Sequence, residues 1–297
     1  MLIKYKLTNQ YIKNNLFLKR DDLIHPSISG NKYRKLKYNI ERAKNLGHHT
    51  LLTFGGAFSN HIAAVAACGK EFGFKTIGII RGEELKTKIS DNPTLLYAKA
   101  CGMTLKFVSR EIYKVKTSEQ FISTLKSEFG TFYLLPEGGT NDLAVKGCEE
   151  ILTEEDKVFD FICCPVGTGG TISGLINSAK PHQKVLGFPA LKGEFLKEDI
   201  RKFAKHANWD LITDYHFGGY AKINSELITF INAFKAKYEV PLDPVYTGKM
   251  MLGVFDLLKQ GYFKKGSKIL AIHTGGLQGI KGMNSILNKK GLPLIDE

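Results

Sequence analysis

Short apolar runs alternate with amphipathic helical stretches along nearly the whole chain, joined by connections of only a few residues. Residues 51–54, 76–80, 103–108 and 132–135 read as strands, with helices at 59–72, 93–101 and 118–129 between them. Strands joined through helices by short connections close into right-handed crossovers, so the strands run parallel. The alternation resumes after Pro136-Glu137-Gly138-Gly139-Thr140-Asn141. Strands follow at 158–164, 184–188 and 268–272, and helices at 142–152, 171–178, 194–203, 224–237 and 249–258, with a last helix running to Leu287. An N-terminal arm over residues 1–28 holds one short strand, Leu16–Lys19. This order predicts an α/β protein of two parallel-sheet domains with helices on both faces. The chain is expected to pass between the sheets near residues 44 and 142. That makes 1–43 and 143–297 the larger domain and 44–142 a smaller inserted one.

The stretch Ser29-Gly30-Asn31-Lys32-Tyr33-Arg34-Lys35-Leu36 stands where the arm ends and the first long helix begins. Tyr33, Leu36, Ile40 and Ala43 recur at helical spacing, and Gly47 closes the helix. Ser29 or Asn31 can cap it, which puts Lys32 in or near the first turn. A helix N-terminus disfavours an ammonium, and Arg34, Lys35 and Lys37 add like charge, so the pKa of Lys32 falls. An easily deprotonated lysine is what Schiff-base chemistry with an aldehyde requires.

Three glycine-rich places carry the remaining chemistry. Val166-Gly167-Thr168-Gly169-Gly170-Thr171 follows an apolar strand and opens a helix, a setting in which backbone N–H groups converge on a phosphate. It is not a Walker A loop, because no Lys-Ser or Lys-Thr follows, and Ile172 breaks the dinucleotide fingerprint. Gly55-Gly56-Ala57-Phe58-Ser59-Asn60-His61 likewise joins strand to helix. Ser59, Asn60 and the free N–H groups there suit a carboxylate or a cofactor's ring hydroxyl, or Ser59 is simply an N-cap. His61 has no acid to pair with in the sequence and reads first as structural. The third place is split between Tyr246-Thr247-Gly248-Lys249 and His273-Thr274-Gly275-Gly276, both expected at strand ends, where ligands of open α/β sheets bind. Tyr246 can stack on a ring, and Thr247 or Thr274 can meet a ring nitrogen.

Composition narrows the classes. Of 297 residues, 43% are hydrophobic and 24% charged, the balance of an ordinary globular protein with a real core. The formal charge of +13 invites a nucleic-acid reading. The lysines are scattered, however, and no zinc-finger, RNA-recognition or helix-turn-helix signature occurs, so general attraction of anions is the better use. Five cysteines, an odd number without metal-ligand spacing, point to a reduced, cytoplasmic protein with no metal site. No apolar run suits a signal peptide or a membrane span.

In order, the motifs are Gly-Asn-Lys-x-Arg-Lys-Leu, Gly-Gly-x-x-Ser-Asn-His, Val-Gly-Thr-Gly-Gly-Thr, Asp-Pro-Val-Tyr-Thr-Gly-Lys and His-Thr-Gly-Gly. Together the chain resembles the 1-aminocyclopropane-1-carboxylate deaminase/D-cysteine desulfhydrase family of pyridoxal-phosphate enzymes, from about Leu16 to Gly276. The resemblance implies the tryptophan-synthase-β-like fold (fold type II), pyridoxal 5'-phosphate as cofactor, a small amino acid as substrate and a homodimer. It implies that Lys32 holds the cofactor as a Schiff base and moves protons at Cα, with Ser59 and Tyr246 as further catalytic residues. Asn60 would meet the ring's phenolic oxygen, Gly167, Thr168, Gly169, Gly170 and Thr171 the phosphate, and Thr247 or Thr274 the ring nitrogen. Ser59, Asn60, His61, Phe58 and Tyr220 would face the substrate. Two departures bear on which reaction. Ring-opening members carry glutamate directly after the stacking tyrosine, and here that residue is Thr247, as in the desulfhydrase-like members. Ala57-Phe58 stands where both branches usually have an aliphatic residue and glutamine. The expected reaction is α,β-elimination from D-cysteine. Ring opening, or elimination from D-serine, is the rival, and a non-catalytic basic binding protein on the same fold is the rival of another class.

Overall fold

The computed structural model describes residues 8–193 and 195–297. In chain order the elements are β1 (Asn9–Lys13), β2 (Leu16–Lys19), α1 (Asn31–Asn45), β3 (Thr50–Gly55), α2 (Asn60–Phe72), β4 (Lys75–Arg81), α3 (Pro93–Ala100) and β5 (Thr104–Val108). There follow α4 (Arg110–Lys114), α5 (Glu119–Phe129), β6 (Tyr133–Leu135), α6 (Asp142–Glu149), β7 (Phe161–Val166), α7 (Gly170–Ser178) and β8 (Lys184–Pro189). The last are α8 (Phe195–Arg201), β9 (Trp209–Leu211), α9 (Ser225–Tyr238), α10 (Thr247–Lys259), β10 (Ile269–Ile272) and α11 (Gly279–Lys289).

Two sheets result, one with strand order β1-β2-β10-β7-β8-β9 and one with order β5-β4-β3-β6. The smaller takes all four strands from residues 50–135, while the larger draws on chain from both sides of that segment. Every neighbouring pair is parallel except β1 and β2. The two expected parallel sheets are present, and β1 adds one antiparallel strand at the edge of the larger. Strand β1, Asn-Gln-Tyr-Ile-Lys, is too polar to stand out from the arm. It folds back on β2 through Asn14 and Asn15, both at positive φ (45° and 60°), the residue type that tolerates this turn. The three-residue edge strand β9 was likewise too short to read from sequence.

Other boundaries moved for local reasons. Residues 154–158 wind into a 3-10 turn boxed by Thr153 and Asp156, so β7 begins at Phe161 rather than at 158. Helix α10 starts two residues early, at Thr247. Glu194, the expected start of the helix ending near 203, lies outside the described residues. Both sheets are covered on both faces. In the larger, α9 and α10 pack on one side and α7 on the other. In the smaller, α1 and α2 pack on one side, while Tyr113 and Leu125 close the other.

Helix α1 is held where the sheets meet. Neither Ser29 nor Asn31 caps it. Gly30 is the N-cap, at φ 58°, and makes no side-chain cap bond. The backbone N–H of Asn31 instead donates to the Thr274 carbonyl, 3.2 Å away. A Cβ on Gly30 would fall 2.0 Å from that same oxygen, so glycine is what admits the contact. On the other flank, a Cβ on Gly147 of α6 would fall 2.0 Å from the Arg34 carbonyl oxygen. Arg34 itself is buried against Asp21 at 2.7 Å and donates to the Glu150 carbonyl at 3.2 Å. Gly147→Ala should lower stability by about 1–3 kcal/mol through this overpacking, read as an earlier urea midpoint at unchanged slope.

Candidate active site

A cavity of about 840 Å³ opens beyond the C-terminal ends of β3, β7 and β10, the strand ends that carry the three glycine-rich loops. Lys32, Ser59, Asn60, His61, Tyr220, Tyr246, Thr274 and the loop residues Gly167, Thr168, Gly169 and Thr171 all line it. Gly170, Phe58 and Thr247 do not.

Lys32 sits in the first turn of α1, and its Nζ donates to Asn31 Oδ1 at 3.0 Å. The Asn31 amide reaches on to the Thr171 hydroxyl at 2.8 Å, which ties α1 to α7. Burial pushes the Lys32 ammonium down to about 7, the neighbouring Lys35 pushes the same way, and Asp243 pulls weakly back. Of the three cations expected to help, Lys35 does. Arg34 is paired with Asp21, and Lys37 with Glu150. Lys35 is buried one turn along the same helix face. Its ammonium donates to the Gly138 carbonyl at 2.9 Å, the Thr140 hydroxyl at 3.0 Å and the Thr168 hydroxyl at 3.4 Å, and burial lowers its pKa too. Among the described residues neither Lys32 nor Lys35 forms an ion pair. The carboxylate that does line the cavity, Asp22, is paired with Arg20 at 2.8 Å, so the two ammonium groups leave the pocket electropositive. The N-terminus of α7 and the glycine loop, with Gly169 at φ 82°, add converging N–H groups.

On the opposite wall Ser59 caps α2. Its Oγ accepts from the backbone of His61 at 3.2 Å and Ile62 at 3.3 Å, which leaves its own O–H proton free to donate. Gln278 donates to Asn60 Oδ1, so the Asn60 NH2 is the end turned to other partners. The His61 ring is buried against Gly139, where neither nitrogen finds a partner in hydrogen-bonding geometry, though the Pro136 carbonyl lies near. Burial, and then Lys32 and Lys35, hold its pKa well below the usual histidine range, so the ring is neutral. Tyr246 and Tyr220 meet edge to face at 6.3 Å, and burial raises both phenol pKa values.

Four of the expected residues stand differently from their reading in the sequence. Tyr246 is not at a strand end. It is the N-cap of α10, reached through a turn organised by the buried Asp243. That carboxylate accepts from the backbone N–H of Val245 at 3.0 Å, Tyr246 at 3.2 Å and Thr247 at 2.7 Å. Thr247 is fully buried, with its hydroxyl on Asp243 Oδ1 at 2.9 Å, whereas Thr274 faces the cavity. Phe58 is 41% exposed and rests on Gly282 of α11, because the chain must turn outward there before Ser59 can cap α2. Gly170 serves by omission: a Cβ there would lie 2.7 Å from the Thr140 hydroxyl. Sequence reasoning had not named Lys35, Asp243 or Gln278 as site residues. Lys35 was findable from its i+3 spacing to Lys32. Asp243 was findable as an acidic side chain four residues before a helical threonine. Gln278 carried no signal.

A sequence model of the pyridoxal-phosphate-dependent enzymes matches residues 2–275. The chain belongs to this family. Among its relatives is a putative 1-aminocyclopropane-1-carboxylate deaminase of Pyrococcus horikoshii, 32% identical over 94% of this chain and 91% of that protein. Another is the bifunctional, mitochondrial D-cysteine desulfhydrase/1-aminocyclopropane-1-carboxylate deaminase of Arabidopsis thaliana, 31% identical over 89% of this chain and 73% of that one. A crystal structure of an ACC deaminase homologue superposes with a TM-score of 0.83 at 30% identity, covering 98% of this chain and 94% of the other. The protein is thus a fold-type-II pyridoxal-phosphate enzyme of the deaminase/desulfhydrase branch. The cavity suits a phosphorylated aldehyde: it is cationic and glycine-lined, and it holds a lysine that readily loses its proton.

Asp243→Ala should cost about 1–3 kcal/mol, since the turn's N–H groups and the Thr247 hydroxyl lose their shared acceptor. Chemical denaturation of the variant against the parent protein measures it.

Proposed function

We propose that this enzyme eliminates hydrogen sulfide from D-cysteine, with Lys32 as the catalytic lysine. The net reaction takes D-cysteine and water to pyruvate, ammonia and hydrogen sulfide. The single observation that carries the choice of lysine is the place of Lys32: it lines the glycine-lined cavity with its ammonium held by the neighbouring Asn31, whereas the Lys35 ammonium is spent on three other acceptors, and burial lowers the Lys32 pKa to about 7. Bound pyridoxal phosphate supplies an aldehyde to capture the substrate amine and a ring that takes up electrons from Cα. Lys32 is then the base at Cα, neutral near pH 7 and able to hold the proton it removes.

The other roles follow from which donors are free. Thr168, Thr171 and the α7 N-terminus bind the phosphate, with Gly167, Gly169 and Gly170 letting the backbone approach, while Lys35, its three protons engaged by Gly138, Thr140 and Thr168, adds charge from behind. Asn60, its oxygen engaged by Gln278, offers NH2 to the phenolic oxygen. Thr274 is the hydroxyl for the ring nitrogen, Tyr246 packs against the ring, and Ser59 donates to the substrate carboxylate beside His61 and Tyr220. Elimination is favoured over ring opening because Thr247 is neutral. The one carboxylate behind it, Asp243, is consumed by its own turn and lies outside the cavity lining.

We place the division of the chain at 1–43 with 143–297 against 44–142, and the cavity at their seam. A homodimer in the cytoplasm belongs to the same reading. It is supported by family resemblance and by five free thiols, as a reducing compartment leaves them. No helix among the described residues is long and apolar enough to cross a membrane.

Two measurements test the proposal. Capture of pyridoxal phosphate by cofactor-free protein should accelerate as pH rises through about 7. Lys32 is protonated below that value and nucleophilic above it, whereas an ordinary lysine would stay protonated until about pH 10. A capture rate still climbing at pH 9 would remove Lys32 from its role. Added D-cysteine should perturb the visible band of the holoenzyme while pyruvate and sulfide appear, and Lys32→Ala should abolish turnover. Ammonia release from 1-aminocyclopropane-1-carboxylate without sulfide from D-cysteine would transfer the assignment to ring opening.

A further inference from the structure

The segment between β9 and α9 brings Tyr220 to the cavity on a backbone that does little to hold itself. Phe217 and Ala221 are left-handed at φ 54° and 55°, unusual for residues with side chains, and Gly218 and Gly219 between them have φ of 92° and 121°. Its internal hydrogen bonds are short-range. Gly219 N donates to the His216 carbonyl, Lys222 N to the Gly219 carbonyl, and Gly218 N to the His216 ring. Outside support comes from the Tyr215 hydroxyl, which donates to Asp256 at 2.7 Å, from Phe217 and Ile223 packed on the core, and, for the 216–219 carbonyls themselves, from Lys249 in the first turn of α10. Lys249 is 2% exposed, and its ammonium donates to the carbonyls of His216 and Gly219, each at 2.9 Å. Among the described residues it has no ion-pair partner. A leucine or methionine would fill the same volume without burying a charge. The ammonium is better explained by the two carbonyls it grips. Tyr246, which meets the Tyr220 ring, lies three residues before Lys249, so a single turn of backbone carries both the ring and the grip.

We propose that Lys249 is a positioning residue that clamps the 216–219 backbone and so holds Tyr220 against Tyr246 over the cavity. The inference rests on the cavity being the active site, but not on which amino acid reacts there. Burial brings the Lys249 ammonium down to about 8, with Asp243 opposing, so the clamp is charged at neutral pH.

The test uses holoenzyme, comparing wild type with Lys249→Met. Amide hydrogen exchange in peptides covering 213–223 should speed up about tenfold or more in the variant, while α10 and the sheets keep their protection. With D-cysteine as substrate, kcat/KM should fall about tenfold in the wild-type background and less than about twofold in a Tyr220→Ala background, because the clamp acts through the Tyr220 ring. Unchanged exchange over 213–223, or equal losses in the two backgrounds, would overturn the proposal and reduce Lys249 to packing. Should Lys249→Met fail to fold, Lys249→Gln keeps amide donors in a similar volume and is read by the same exchange experiment. If wild type ignores D-cysteine, the substrate assignment fails on its own, and the exchange result still decides the clamp.

Discussion

Lys32 and Lys35 are two ammonium groups on adjacent turns of one helix face, enclosed by protein with only neutral partners. Burying such a pair is unfavourable, and the structure accepts it because the surrounding helix is fixed before its side chains are considered. The N-terminus of α1 presses on the Thr274 carbonyl through Gly30, and its middle presses on α6 through Gly147. The buried Arg34–Asp21 pair pins the opposite face. With the helix held on both flanks, the lysines stay at the cavity, and burial lowers their proton affinity. The electropositive character of the cavity, and the ease with which Lys32 gives up a proton, are both consequences of where two glycines stand.

The loops at the strand ends divide the work around that centre. The 167–171 loop and the α7 N-terminus extend the cationic end. Ser59 presents its hydroxyl proton and Asn60 its NH2, because Ser59's oxygen accepts from the first turn of α2 and Asn60's from Gln278. Asp243 shows the converse arrangement. A carboxylate a few ångströms from a cofactor cavity would alter its chemistry, and here it is absorbed by the N–H groups of the turn that sets Tyr246 in place. One side chain shapes the aromatic wall and stays outside the cavity lining.

Much of the site was legible in the chain. The alternation of strand and helix, the three glycine loops and the position of Lys32 at a helix start all follow from local pattern, and all recur in the structure. What misled was side-chain direction. Phe58 and Thr247 belong to the right motifs yet point elsewhere, one onto Gly282 and the other into the Asp243 turn. Strand β1 hid because its polar residues and its two-asparagine hairpin resemble a loop.

The sequence by itself determined the fold class and the strand–loop–helix places of the glycine loops, because periodicity and glycine spacing are local properties that survive without neighbours, and the order of its motifs carried the resemblance that implies the cofactor. Only the tertiary structure decided which hydroxyls and amides are free, which cations are paired and which lysine is left alone. Those depend on contacts between residues far apart in the chain: Asn31 with Thr171, Lys35 with Gly138, Asn60 with Gln278 and Lys249 with Gly219. A hydrogen bond to a distant partner is decided by how sheets and helices pack, and packing is a property of the whole chain that no short motif contains.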